Sequence, residues 1–217
     1  SIDQSIPLPD YVFYPNSDTD KTAVEWTVDD LNVAEVATTT DANGKVSGTV
    51  KAKAAGVAVV KLQVVGKTEV NAAFRLIVRP TNEPKNCKAD ATYNSVSLSW
   101  SPVADANGYT ITRKVEGSDT EQTIAHVDGT DTVSYKDTAA QTGISYIYHV
   151  YAYTKYTNNG QTDYANTDAY ASVKATPQLG KAAMTSVTAE GYSSLTLKWE
   201  KVDGATGYIV YRSTDKS

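Results

Sequence analysis

Almost every patterned run in this chain alternates apolar and polar residues with a period of two. In an extended strand successive side chains point to opposite faces, so such alternation marks strands with one buried face. "AVEWTV" puts Val24, Trp26 and Val28 on one side, and "VAVVKLQVV" and "FRLIV" read as further strands rich in branched residues. Between the runs stand Asn43-Gly44, Gly56, Gly66, Asn107-Gly108, Asp128-Gly129 and Asn159-Gly160, which supply the positive φ values that tight hairpins require. No stretch carries a helical period with caps. Short strands at regular spacing, punctuated by turns, predict an all-β chain of tandem β-sandwiches.

An internal repeat divides the chain further. "SVSLSWSPVADANGYTITRK" (95–114) returns at a constant offset as "SLTLKWEKVDGATGYIVYRS" (194–213), with eight of twenty positions identical, Trp100/Trp199, Gly108/Gly207, Tyr109/Tyr208 and Arg113/Arg212 among them. Two proline-bearing stretches interrupt the strand pattern, "RPTNEPKN" (79–86) and "ATPQLGKAAM" around Pro177. Three modules are expected: 1–80, 82–177 and 178–217. The third corresponds to the first three strands of the second, through "GYIVYRS". Its Val187, Leu195, Leu197, Trp199, Tyr208 and Val210 then lack the layer that 116–177 supplies in the complete copy, as in a fragment cut from a longer chain.

In the middle module Val96, Leu98 and Trp100 alternate inward, followed by Tyr109 and Ile111, and later by Tyr146, Tyr148, Val150 and Ala152. The order Trp100, "GYTITR", "YIYHVYAY" resembles a fibronectin type III domain over Pro84 to Pro177. The resemblance implies a core tryptophan at Trp100 and a corner tyrosine at Tyr146 whose hydroxyl bonds back to the backbone. No "RGD" tripeptide is present, so integrin binding does not carry over. The first module resembles a bacterial Ig-like domain of group 2, through "AVEWTVDDLNVAEV" (23–36) and "GKVSGTVKAKAAGVAVVKLQV" (44–64). That family has one strand more before the segment that "LPDYVFYP" matches, which implies entry into the domain after its first strand. Trp26, Trp100, Tyr146 and Trp199 are the expected structural core.

The chemistry-bearing residues are sparse. His126 and His149 stand on separate strands without the spacing of a zinc site, and there is no nucleophile elbow or phosphate-cradling loop. "SDTDKT", "DDLN" and "DGTDT" lack the alternating ligands of a calcium loop, and "DANGK" lacks its closing acid. Cys87 is the only cysteine, so no intrachain disulfide and no cysteine metal site is expected, and the modules must be stable by packing. A net charge of −5 without a basic stripe argues against nucleic acid. No run approaches the ~20 apolar residues of a bilayer span, so no membrane insertion is expected. The residues predict neither catalysis nor a cofactor.

What they do offer is tyrosine: 15, against 2 Phe and 3 Trp. With Tyr146, Tyr148, Val150 and Ala152 facing the core, Ile147, His149, Tyr151 and Tyr153 face outward, His149 into solvent. Tyr170 on the next strand is placed beside Tyr151, with Tyr156 and Tyr164 near the joining loop "KYTNNGQTDYAN". Exposed rings of this kind stack on sugars or on partner apolar patches, or simply pair across strands. Two functions are expected: non-catalytic spacer and display modules of a larger bacterial surface or secreted protein, with neighbouring domains as partners; or an adhesin module contacting a glycan or host surface protein. Both imply an extracellular or cell wall-attached location.

Overall fold

The computed structural model describes residues 2–12 and 23–213. The chain is all-β, and among the described residues there is no helix. The turn "SDTDKT" and the end of "LPDYVFYP" lie outside the described residues.

The first module comprises β1 (Ser5–Pro7), β2 (Val24–Val28), β3 (Ala34–Thr40), β4 (Val46–Ala52), β5 (Gly56–Val64) and β6 (Lys67–Val78). They form two antiparallel sheets, β1-β4-β3 and β2-β5-β6, which pack their apolar faces together. Ala34, Val50 and Val60 close one part of that core, with Trp26 and Phe74 against them. Trp26 is half-buried rather than enclosed, and meets Phe74 edge to face at 6.4 Å.

The middle module comprises β7 (Lys88–Ala91), β8 (Val96–Ser99), β9 (Gly108–Val115), β10 (Gln122–Asp128), β11 (Ser134–Asp137), β12 (Tyr146–Asn158), β13 (Gln161–Asn166) and β14 (Ala171–Ala175). Sheet β11-β8-β7 faces sheet β10-β9-β12, and β12 is paired on its other side first by β14 and then by β13. The alternation read from the sequence holds across the interior, where Val96, Leu98, Trp100, Tyr109, Ile111, Tyr146, Tyr148, Val150 and Ala152 form one core. Trp100 is 5% exposed and packs on Tyr109 at 5.2 Å. The hydroxyl of Tyr146 accepts the Gln141 amide at 3.2 Å, which ties the loop before β12 to the strand.

"KYTNNGQTDYAN" is not a loop. Asn159 and Gly160 both take positive φ (48° and 79°), the two-residue turn whose twist matches paired strands. β12 therefore runs on past the core for 13 residues and returns as β13. Buried Thr167 bridges the change of partner, its amide donating to the Ala152 carbonyl at 2.8 Å.

The third module contains β15 (Met184–Ala189) and β16 (Leu195–Trp199), paired antiparallel. The expected third strand is absent among the described residues, and 208–213 forms no ladder. Even so, the repeat reproduces local geometry. Trp199 and Tyr208 lie 5.3 Å apart, and the Val202 amide donates to the Tyr208 hydroxyl just as Val103 donates to Tyr109. Trp199 is half-buried, not core, and Leu195 and Val210 are exposed where their counterparts Val96 and Ile111 are enclosed.

One charged group lies inside the middle sandwich. Asp137, 3% exposed, accepts from Arg113 at 2.6 Å, from the Tyr148 hydroxyl at 2.9 Å and from the Ala139 amide at 2.9 Å. The Arg113 guanidinium lies 4.7 Å over the Tyr146 ring, so one ion pair contacts two of the core tyrosines, Tyr146 and Tyr148. A buried carboxylate stripped of its cation costs far more than the pair itself contributes. Arg113→Ala should lower stability by about 3–5 kcal/mol in chemical denaturation; a loss below about 1 kcal/mol, the worth of an exposed pair, would show that Asp137 does not need Arg113.

Candidate functional site

The outer face of sheet β10-β9-β12 carries the tyrosine cluster, and β12 sets its spacing because residues two apart share a side. Tyr151 and Tyr170 meet there with ring centroids 5.0 Å apart and planes inclined at 54°. Tyr151 is half-buried, and Tyr170, 45% exposed, is the outermost ring. Ile147 lies on the same face, half-exposed, between Lys114 of β9 and Lys174 of β14 in the ladder.

Two residues of this face depart from expectation. His149 is buried, not solvated, because the Tyr170 ring covers it at 4.2 Å and Glu121 closes its edge. Its Nδ1 lies 2.7 Å from Glu121 Oε1, and since an ionised carboxylate only accepts, Nδ1 carries the proton. Thr112, opposite His149 on β9, donates to the same oxygen. Burial pushes the Glu121 carboxyl up, but the hydrogen bonds from Thr112 and His149 outweigh it and hold the group below the usual carboxylate range. Burial, then the neighbouring Glu121 charge, pushes the Tyr151 hydroxyl above its ordinary value.

Tyr153 is the second correction. It points outward yet is fully buried, because its ring folds over Gly108 on β9, opposite it in the ladder, and is capped by Tyr164 at 4.8 Å. Its hydroxyl lies 2.6 Å from Asp128 Oδ1, and Lys155 holds the other carboxylate oxygen at 2.8 Å. Burial and the Asp128 charge both push that hydroxyl well up, so it remains a donor. His126 stacks flat on Tyr164 at 3.8 Å and 5°. The Thr110 hydroxyl gives its proton to Asn166 Oδ1 at 2.7 Å, so it accepts from His126 Nδ1 at 3.0 Å.

Neither histidine takes a proton from the threonine beside it: Thr110 donates to Asn166. Thr112 donates to Glu121 and not to the imidazole, so the His149–Glu121 pair draws no proton from it. Among the described residues no group of three or more His, Cys, Asp or Glu could hold a metal ion. Cys87 is half-buried with its thiol pushed up by burial, which disfavours the reactive thiolate. What this face presents is a tilted pair of rings, Tyr151 and Tyr170, over a layer already hydrogen-bonded within itself.

Four residues that the sequence reading passed over join this sheet to the first module. Arg79 grips Asp168 with both terminal nitrogens, at 2.8 and 3.1 Å, and also donates to the Asn166 carbonyl at 3.3 Å. Thr154, wholly buried, donates to the Val78 carbonyl at 2.7 Å. Arg75 donates to the Thr157 carbonyl and stands 5.4 Å from the Tyr156 ring centroid. The extended β12–β13 hairpin thus rests on the last residues of β6.

Comparison with known proteins places solved β-rich structures beside the chain. A structure of an Fn3-like protein from Clostridium thermocellum is 29% identical, covering 43% of this chain and 91% of that one, with a TM-score of 0.32. A myokine structure is 19% identical over 45% of this chain and 98% of its own, with a TM-score of 0.34. A crystal structure of domains from titin is 15% identical over 82% of this chain and 59% of its own, at 0.37. No family model matches the chain, and a search of curated proteins finds no match.

The carboxylates of this face set an acid limit. Glu121 and Asp128 are both held low, Asp128 by hydrogen bonds from Lys155 and Tyr153. A depressed folded pKa contributes stability that is present above the unfolded pKa and is lost as pH falls through the folded one. Denaturation midpoints should therefore fall from about pH 5 downward, and less steeply in Glu121→Gln. Parallel curves for wild type and variant would remove Glu121 from the account.

Proposed function

We propose that the chain is a non-catalytic run of spacer and display modules, part of a larger bacterial surface or secreted protein acting outside the cell or on its wall. The observation that carries this reading is the β12–β13 hairpin braced against β6 through Arg79–Asp168, Thr154–Val78 and Arg75–Tyr156. Part of this hairpin packs on its own module through Tyr164 and Asn166, but Thr154 and Thr157 place their bonds on β6 of the first module instead. Modules that share a small interface move relative to one another by default, and a spacer limits that motion with specific bonds beside its connector, here the buried Thr154–Val78 bond and the two-pronged Arg79–Asp168 pair. Pro80 and Pro84 in the stretch between Arg79 and Asn86 stiffen the link further.

A second reading follows from the exposed Tyr170 ring on Tyr151: the outer face contacts a glycan or a host surface protein. Glycan-array binding that disappears in a Tyr151→Ala, Tyr170→Ala double variant supports it.

The brace is tested by small-angle X-ray scattering of the full chain. Arg79→Ala with Thr154→Val should raise the radius of gyration and broaden the distance distribution. Each module should keep its fold, with the exposed Arg79 pair costing about 1 kcal/mol or less and the loss of the buried Thr154 donor about 1–3 kcal/mol. Unchanged scattering in the double variant overturns the rigid-spacer reading.

A further inference from the structure

The second joint is built differently, and the internal repeat exposes its design. The hairpin turn between β7 and β8 carries Tyr93 at its tip, closed by the Thr92 amide on the Ser95 carbonyl at 2.9 Å. This ring lies against Gly204 of the third module: a Cβ built on Gly204 would fall 2.6 Å from Tyr93 Cε2 and 2.7 Å from Cγ. Gly204 has φ of +78°. The polypeptide bonds nearby support the contact, with the Gln178 amide donating to the Thr92 carbonyl at 3.2 Å and Thr142 donating to the Tyr93 carbonyl. Lys136, Lys181, Glu200, Lys201 and Asp203 ring the contact.

Both positions of this contact have a counterpart in the repeat, but only the ring is repeated. The position of Gly204 corresponds to Asp105 in the middle module, which has the same left-handed turn, φ +63°, and is exposed. So the turn's conformation does not demand glycine. The ring of Tyr93 does, because only a residue without Cβ leaves it room. The position of Tyr93 corresponds to Tyr192, at the tip of the turn between β15 and β16, closed by the Glu190 amide on the Ser194 carbonyl at 2.9 Å. Tyr192 is 111% exposed, the most exposed large apolar residue of the chain's described part, on a hairpin tip where solvent would favour a small polar residue.

We infer that Tyr93 and Tyr192 are copies of one module-docking ring whose socket is a left-handed glycine turn, and that Tyr192 fits a fibronectin-like module bearing glycine at the position of Gly204. The Tyr93–Gly204 contact is the same interface already occupied. A module with Asp at that position, as the middle one has at Asp105, is refused by its Cβ. The residue at this one turn position thereby decides which modules dock closely on the one before. This inference rests on the tandem-module reading above, but the two joints share no residue, so each can fail alone.

The test has two arms, both on the full chain. In the first, spin labels on Thr123→Cys and Lys198→Cys in a Cys87→Ser background report the distance between the middle and third modules. Gly204→Asp, which imports the middle module's own turn residue, and Tyr93→Ala should each broaden the distance distribution, whereas Tyr192→Ala should leave it unchanged. A distribution unaltered by Gly204→Asp overturns the socket. In the second, the 15N-labelled Tyr93→Ala, Tyr192→Ala chain, its socket vacated, is titrated with unlabelled wild-type chain up to about 1 mM, the effective concentration that a short linker supplies within one polypeptide. Shifts at the Gly204 amide, lost when the added chain carries Tyr192→Ala, support the docking ring. No shift, or shifts that persist with Tyr192→Ala, overturn it.

Discussion

The 13 residues of β12 hold the first and middle modules together. Up to Ala152 the strand is the centre of the middle sandwich, supplying Tyr146, Tyr148, Val150 and Ala152 to the core while pairing with β9 and β14. From Tyr153 onward it leaves that core, changes partner to β13 and places Thr154 under the Val78 carbonyl of the first module. Because the strand is continuous and its ladder bonds are cooperative with the sheet, the position of the joint is tied to the packing of the core. Asn107 marks the handover: its amide donates to the Tyr153 carbonyl at 2.8 Å and its side chain accepts the Lys155 amide at 2.9 Å.

Tyrosine is the residue type such a strand needs. At Tyr148 and Tyr153 the ring is fully buried and the hydroxyl finds a carboxylate, Asp137 inside the sandwich and Asp128 at the edge of the outer face. Phenylalanine would fill the same volumes and remove one donor from each acid, leaving Asp137 to Arg113 and the Ala139 amide and Asp128 to Lys155; inside the sandwich that lost bond costs about 1–3 kcal/mol. The abundance of tyrosine over phenylalanine thus reflects both inner and outer faces of one sheet, and is not by itself a sign of an exposed binding surface.

Much of the interior was legible because a buried face leaves a period-two trace. Val96, Leu98 and Trp100, and the inward set on β12, could be assigned from alternation alone, and the corner role of Tyr146 from its resemblance to a fibronectin domain. Alternation names the face that a side chain takes and says nothing of what covers it. It puts His149 and Tyr153 on the outer face, where the structure has them, but does not show that they are buried, because their covers, Tyr170 with Glu121 and Tyr164 with the room over Gly108, come from other strands. Arg79, Asp168 and Thr154 leave no local trace at all, since an interdomain pair is separated by some ninety residues and obeys no period. The turn of the hairpin is legible in Asn159-Gly160; the length of its strands is not, because residues 155–158 and Gln161–Asn166 are mostly polar and show no buried face.

The brace also imposes an order in time. β6 is an edge strand of its sheet, and an uncovered edge is a template for pairing with other chains. The hairpin that rests on its last residues ends at Asn166, so on a ribosome the first module is complete while its cover is still unmade. At ordinary synthesis rates the interval is on the order of ten seconds. Through that interval the first module must guard its own edge, and the charged side chains of Lys67, Glu69 and Arg75 along β6 are the means the strand itself supplies.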